Sequence, residues 1–505
     1  MDFLAPRASA TPDRPALIWG QRALTYRELE AWAHALAEQF ARAGITAGSR
    51  VAALLPREPA AVAAIHALAC LGAVLVPLNL RLTPTEMRSQ LAQSRATHIL
   101  TTAGTAARGR AVAREERVLE ITLGEELEQP RIANEASESA NRRSPFAIPN
   151  TQSDRPFVAL FTSGTTGTPK AAVLTAANFY WSAVASAFRL GVLPHDRWLL
   201  TLPLYHVGGL SILFRSALYG TAVVLPEAEG SFEPEWLYET AAKRRVTLVS
   251  LVPTMLHRLL EAVPKPPPPT LRLVLLGGAA ASPELLSRAL ARGYPVATTY
   301  GLTESTSQTA TARPEEVRRK PGTVGKPLLY TRLRITDARG TDLPAGEIGE
   351  ILVSGPTVFT GYDGNPHATA RALQGGWLHT GDLGYLDADG DLWVVNRRSD
   401  LIVTGGENVY PAEVEAVLRG HPAVAEACVV GLDDAEWGQR VAAAVTLKPG
   451  AQTSPAELEA FCRQHLAGYK VPRRIRVVER LPRTASGKIR RSAVRAQLRE
   501  ENDAA

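Results

Sequence analysis

Between Pro59 and Leu80 the chain reads PAAVAAIHALACLGAVLVPLNL, more than 20 positions without a charged side chain. Such a stretch is stable only in a bilayer or deep in a protein interior. Gly72 and Pro77 divide it. The first half is rich in alanine and reads as a helix, whereas AVLVPLN reads as a strand. A buried helix feeding a buried parallel strand accounts for both halves, and a membrane span for neither. The pattern recurs. Short apolar runs alternate with helix patterns at Ser49–Pro56, Ala96–Thr102, Trp198–Leu204, Thr221–Pro226, Val246–Pro253 and Leu271–Gly278. This alternation predicts an α/β fold with a large N-terminal domain of doubly wound sheets.

A length of 505 residues suits one large and one small unit, or about three units. Ile132–Pro156 is polar and aperiodic and reads as a surface linker, and KPPPPT (Lys265–Thr270) as a stiff connector. From about Val324 the texture changes to short strands and turns, which predicts a small barrel-like subdomain. DADGD (Asp387–Asp391) resembles a calcium loop but lacks the downstream glutamate, so a hairpin turn is expected. After Asp400 a compact α+β pattern runs to the end. A boundary near Arg398–Asp400 divides the chain into domains 1–398 and 399–505, the second hinged on the first.

The formal net charge of +6 is small for this length. Its most basic stretch, Tyr469–Arg495, has few aromatics and contains the alternating RIRVVERL, a strand pattern; no nucleic-acid partner is expected. Cys70, Cys428 and Cys462 are odd in number and far apart, which argues against disulfides or zinc and fits a reducing cytoplasm. The N-terminus lacks the features of a signal peptide. A homo-oligomer stays open.

The polar chemistry concentrates in loops. TSGTTGTPKA (Thr162–Ala171) follows an apolar run and holds small hydroxyls, two glycines and one lysine. Its G-x-x-G-x-x-K spacing is not that of the P-loop. The physics is related, because glycines turn backbone N–H groups toward phosphate oxygens and the lysine offsets charge. LLGGAAAS (Leu275–Ser282) lets a flat ring lie on its backbone at Gly278 and Ala279. TTYGLTES (Thr298–Ser305) offers the ring of Tyr300, the hydroxyl of Thr303 and the carboxylate of Glu304. GWLHTGDLGY (Gly376–Tyr385) sets Asp382 between glycines, and RTASGKIRR (Arg483–Arg491) sets Lys488 after a Ser-Gly turn.

These motifs, in this order, resemble the adenylate-forming acyl- and aryl-CoA synthetase superfamily from Thr11 to about Leu498. PLYHVGG (Pro203–Gly209), YGLTESTSQ (Tyr300–Gln308), NRRSDLIVTGGENVYPAEVE (Asn396–Glu415) and EWGQRVAAAV (Glu436–Val445) resemble its o-succinylbenzoate–CoA ligase branch more closely. The resemblance implies an acid–CoA ligase using ATP, Mg²⁺ and CoA. Thr162, Ser163, Gly164, Thr165, Thr166, Gly167 and Lys170 would hold the β,γ-phosphates. Glu304 would hold Mg²⁺, with Thr303 beside it, and Tyr300 would stack on adenine. Asp382 and Arg397 would hold the ribose, and Lys488 would bridge carboxylate and phosphate. His206 would border the acyl pocket and gate the passage to CoA. Gly208 and Gly209 would leave room for an aromatic acyl group, and Ser307 and Gln308 would donate to a second carboxylate. Ser399 and Asp400 would form the hinge, and Gly405 and Gly406 would pass the pantetheine arm. Other readings are a fatty-acyl or another aryl-acid ligase, a carrier-protein-loading enzyme, and a nucleotide-binding regulator.

Overall fold

The computed structural model describes residues 2–116, 118–123, 155–162, 169–227, 232–396, 401–482 and 489–499. The uncharged stretch is a helix, Pro59–Leu71, followed by a strand, Val74–Pro77, which pairs in parallel with Arg50–Leu54. Gly72 ends the helix at φ +69°, a left-handed conformation that glycine adopts without steric cost. Every residue from Ala61 to Ala69 is buried, as expected of a helix that is apolar all round. No described helix is long and apolar enough to cross a membrane.

The apolar runs become the strands of two large sheets. One has seven strands, with Val74–Pro77, Arg50–Leu54, His98–Thr102 and Leu119–Leu123 parallel. Its other edge is formed by Pro156–Thr162, Lys170–Thr175 and Gly361–Tyr362. The other sheet has nine strands, and its parallel centre runs through Ala222–Val224, Arg197–Leu199, Leu248–Leu251, Leu273–Leu276 and Val296–Tyr300. One apolar cluster spans both sheets. Within it Phe157 of the first sheet lies 5.2 Å, centroid to centroid, from Phe214 on helix Val207–Tyr219, and Phe179 lies 5.0 Å from the same ring. Helices Tyr26–Arg42, Pro84–Ser94 and Ala176–Leu190 each start at a threonine whose side chain forms a capping box.

A third sheet, of five antiparallel strands, contains Arg332–Thr336, Gly349–Ser354, Trp377–Leu386 and Leu392–Asn396. A fourth, also of five strands, is built on the long hairpin Val424–Asp434 and Gly438–Leu447, with Arg474–Val477 of the basic stretch added in parallel. The expected boundary, Arg398–Asp400, lies outside the described residues, as does the expected linker up to residue 154. The third sheet ends at Asn396 and the fourth begins at Ile402.

The DADGD segment is the hairpin turn its missing glutamate implies. Its carboxylates converge on an ammonium from elsewhere in the chain: Lys320 Nζ donates to Asp387 at 2.7 Å, Asp389 at 2.6 Å and Asp391 at 2.8 Å. Burial alone would raise the Asp387 pKa. Bonds from Lys320, Trp393 and two backbone amides outweigh it and hold the carboxyl well below its usual range. Lys320→Met leaves three carboxylates together without their cation. It should lower the melting temperature by about 2–4 °C at neutral pH; an unchanged scanning-calorimetry trace would contradict this.

Candidate active site

Strands buried on both faces present polar groups mainly at their ends, and here several ends open on one cleft of about 300 Å³. Thr162, Val252, Gly278 and Leu302 line it, each at or just beyond the carboxyl end of a strand. Gly278 stands at φ +81°, and a Cβ there would lie 3.2 Å from Val252 Cγ1. Ala279 is half-buried and is not among the cleft-lining residues.

On one side of the cleft, Glu304 sits in a single 3₁₀ turn, Thr303–Ser305. Its Oε1 accepts from Tyr362 Oη at 2.7 Å and lies 3.5 Å from Thr162 Oγ1. Lys170 Nζ lies 5.4 Å from the centroid of the same Tyr362 ring. The two ends of the glycine- and threonine-rich stretch thus flank Glu304. Ser163, Gly164, Thr165, Thr166 and Gly167 between them lie outside the described residues. Glu304 itself lines the cleft. A single carboxylate joined by phosphate oxygens is a usual way of holding Mg²⁺.

Asp382 lies on strand Trp377–Leu386 and not in a glycine loop, yet it lines the cleft. One of its oxygens accepts from Tyr300 Oη at 2.8 Å. The Tyr300 ring departs from expectation. It is 4 % exposed, packs in the core and is not among the cleft-lining residues. As the last residue of a central strand it turns its ring inward, so its hydroxyl fixes Asp382. Arg397 lies outside the described residues.

The other side of the cleft is built around His206, which precedes helix Val207–Tyr219 and lines the cavity. Gly208 lines it too, but Gly209 does not. A Cβ on Gly209 would lie 2.2 Å from the Pro203 carbonyl oxygen and 2.6 Å from that of Leu202, so close backbone packing requires glycine there. Ser307 and Gln308 both face the cleft. Thr306 and Ser307 stand at φ +52° and +86°, and the loop folds so closely over Gly301 that a Cβ there would lie 1.5 Å from the Ser307 carbonyl oxygen. Gln308 donates to Thr311 Oγ1 at 3.0 Å, and its Oε1 has no partner.

Sequence reasoning missed Arg215. It lines the cleft although it is 2 % exposed. Its Nη2 donates to Ser182 Oγ at 3.1 Å, and Ser182 donates to the Thr306 carbonyl at 2.7 Å, which sets the guanidinium beside the 306–308 loop. Its Nε has no partner, and no described carboxylate pairs with it. Burial lowers its pKa, but arginine keeps its charge in proteins. The available signal was one cation inside the apolar run LSILFRSALY.

The C-terminal lobe closes the cleft. Strands Ile402–Thr404 and Glu407–Val409 form a hairpin whose two-residue turn is Gly405–Gly406, at φ +58° and +82°; a primed turn of this kind needs glycine. Gly406, Glu407 and Asn408 line the cavity. Glu407 Oε2 lies 3.1 Å from His206 Nε2 and Oε1 lies 3.5 Å from Arg81. Burial would raise the Glu407 pKa, but His206, Arg81 and Lys470 together hold it below its ordinary value. Ser399, Asp400 and Lys488 lie outside the described residues.

The chain matches the AMP-binding enzyme family over residues 4–363 and the AMP-binding enzyme C-terminal domain over residues 413–488. It is 43 % identical over 491 residues to the 2-succinylbenzoate–CoA ligase of Geobacillus kaustophilus, covering 97 % of this chain and 96 % of that one. Among solved structures it resembles a double mutant of o-succinylbenzoate CoA synthetase from Bacillus subtilis, bound with the product analogue OSB-NCoA. The TM-score is 0.89 at 40 % identity, with 98 % of each chain covered. Against that synthetase in complex with ATP and magnesium ion, the TM-score is 0.70 at 39 % identity, covering 97 % of this chain and 98 % of that chain.

The glycine geometry yields a paired expectation. Gly208→Ala meets only the tip of Leu202, at 3.1 Å, and should fold normally while narrowing the cleft. Gly209→Ala meets rigid backbone and should destabilise the protein by about 2 kcal/mol or more. Urea unfolding of the two variants checks the contrast, and equal midpoints would refute it.

Proposed function

Because this chain belongs to the AMP-binding enzyme family, we propose that it is an AMP-forming acid–thiol ligase that joins o-succinylbenzoate to CoA and so serves menaquinone biosynthesis. The observation that carries the substrate is the buried Arg215 guanidinium, with no acid of its own among the described residues, lining the same cleft as Glu304 and Asp382. A substrate with two carboxylates needs one of them activated and the other neutralised. Arg215 suits the second role, with Ser307 and Gln308 donating beside it.

A carboxylate is a poor electrophile because oxide is a poor leaving group. In the first half-reaction its oxygen attacks the α-phosphorus of ATP and pyrophosphate departs, leaving an acyl-adenylate. In the second, the CoA sulfur attacks the acyl carbon, the thiol loses its proton and AMP departs. Positioning and charge stabilisation supply most of the catalysis. Thr162, Lys170 and the hydroxyls and glycines between them cradle the β,γ-phosphates, with Thr303 beside them. Glu304 is the carboxylate for Mg²⁺, which offsets phosphate charge when bound. Asp382, fixed by Tyr300, accepts from the ribose together with Arg397, and Lys488 bridges the substrate carboxylate and the phosphate. Gly278 on the cleft wall, with Ala279 next to it, would let the adenine lie against the backbone. Gly405 and Gly406 leave room for the pantetheine arm, and His206, drawn toward Glu407, clears its path. The lobes divide at 398/399, and Ser399 and Asp400 take up the hinge rotation. Small molecules are its partners, and three free cysteines fit a cytoplasmic enzyme.

Thioester formation, read by mass with ATP, Mg²⁺, CoA and a panel of aryl and fatty acids, should favour o-succinylbenzoate strongly. Turnover confined to other acids would overturn the substrate. Arg215→Leu should raise KM for o-succinylbenzoate about 100-fold and leave benzoate turnover nearly unchanged. Lys488→Ala should cut adenylation by about 100-fold or more yet spare thioester formation from supplied acyl-adenylate; equal loss of both would refute its assigned role.

A further inference from the structure

Lys470 follows Tyr469 in the basic stretch, where a solvated lysine is the ordinary expectation, yet it is 4 % exposed. Its ammonium donates to Glu413 of its own lobe at 2.7 Å and to Glu86 of the N-terminal lobe at 2.7 Å. Burial works against the charge, but the two carboxylates outweigh it and raise the lysine pKa above its ordinary value. Breaking such a buried pair leaves an uncompensated charge, so the contact discriminates between lobe arrangements that make it and those that do not.

The two oxygens of Glu86 have separate duties. Oε2 accepts from the Thr83 backbone N–H at 2.8 Å and from its hydroxyl at 2.9 Å, completing the capping box of helix Pro84–Ser94. Oε1 receives Lys470. The cap therefore holds the carboxylate in place whether or not the other lobe is docked. Next to it, Asn79 Nδ2 donates to Tyr469 Oη at 3.3 Å, and Ala467 and Tyr469 pack in the same apolar cluster as Leu78 and Leu82. The segment Ala467–Lys470 is thus seated on the residues that follow strand Val74–Pro77.

This seating belongs to one of two lobe arrangements. Two structures of the Bacillus subtilis enzyme have nearly the same identity and coverage against this chain, but TM-scores of 0.89 and 0.70. For one relative, such a gap reflects how its parts are arranged, and the higher score goes with the product analogue. We propose that Glu86 is a positioning residue that docks Lys470 in the thioester-forming arrangement alone, so that it supports the second half-reaction and not the first. This inference rests on the ligase reading above.

Glu86→Gln is the discriminating variant, because glutamine also completes a capping box and the helix keeps its start. Pyrophosphate release with o-succinylbenzoate and ATP should match that of the unaltered enzyme. Thioester formation from supplied o-succinylbenzoyl-adenylate at subsaturating CoA should fall roughly tenfold. Glu86→Asp, which keeps the charge, should recover part of the loss. Equal slowing of both half-reactions would mean a merely structural role, and no change in either would mean that the contact does not bias the lobes; each overturns the proposal. If the unaltered enzyme forms adenylate but no thioester, the ligase reading itself fails and the proposal falls with it.

Discussion

Parallel strands buried on both faces can carry little polar chemistry along their length, so the chemistry of such a protein is displaced to the strand ends. That constraint organises the whole molecule. Two sheets with apolar centres send Thr162, Gly278 and Leu302 to one cleft. The antiparallel third sheet, exempt from the constraint, reaches the cleft with Asp382 from the middle of a strand. The fourth sheet contributes through the turn end of a hairpin. Each sheet delivers its polar groups in the way its own pairing allows.

The fold was legible because burial writes itself into sequence as uninterrupted apolar runs. The runs Ala73–Asn79, Ala96–Thr102, Val246–Pro253 and Leu271–Gly278 contain the strands Val74–Pro77, His98–Thr102, Leu248–Leu251 and Leu273–Leu276, which are two to four residues shorter. The glycine- and threonine-rich stretch was conspicuous as a motif, and its described ends, Thr162 and Pro169, line the cleft. Orientation was less accessible. Tyr300 stands in the expected motif, but its ring packs in the core while its hydroxyl donates to Asp382. Gly209 is small for the sake of the Leu202 and Pro203 carbonyls. Arg215 and Lys470 escaped notice for one reason. A buried cation is recognised by its partners, and those lie far away in the chain: Ser182 is 33 positions from Arg215, and Glu86 is 384 from Lys470.

The site also divides by rigidity. Asp382, Tyr300 and Glu304 belong to one lobe and are joined by short hydrogen bonds to strand residues. His206 and Glu407 come from different lobes, and so do Glu86 and Lys470. Groups that must stay fixed through both halves of the proposed reaction are therefore built on one body, and groups needed for only one half are split across two. Charge pairs suit the split contacts, since they can be remade in register after a rotation, whereas an apolar surface alone would fit many registers.

The ammonium of Lys320 among Asp387, Asp389 and Asp391 joins distant parts of the chain. Three carboxylates held this close together need a cation to offset their charge. Here the cation is covalently part of the chain, delivered from the end of helix Pro314–Arg319 to a hairpin of a different sheet. The tie between that helix and the hairpin thus rests on a group that cannot diffuse away.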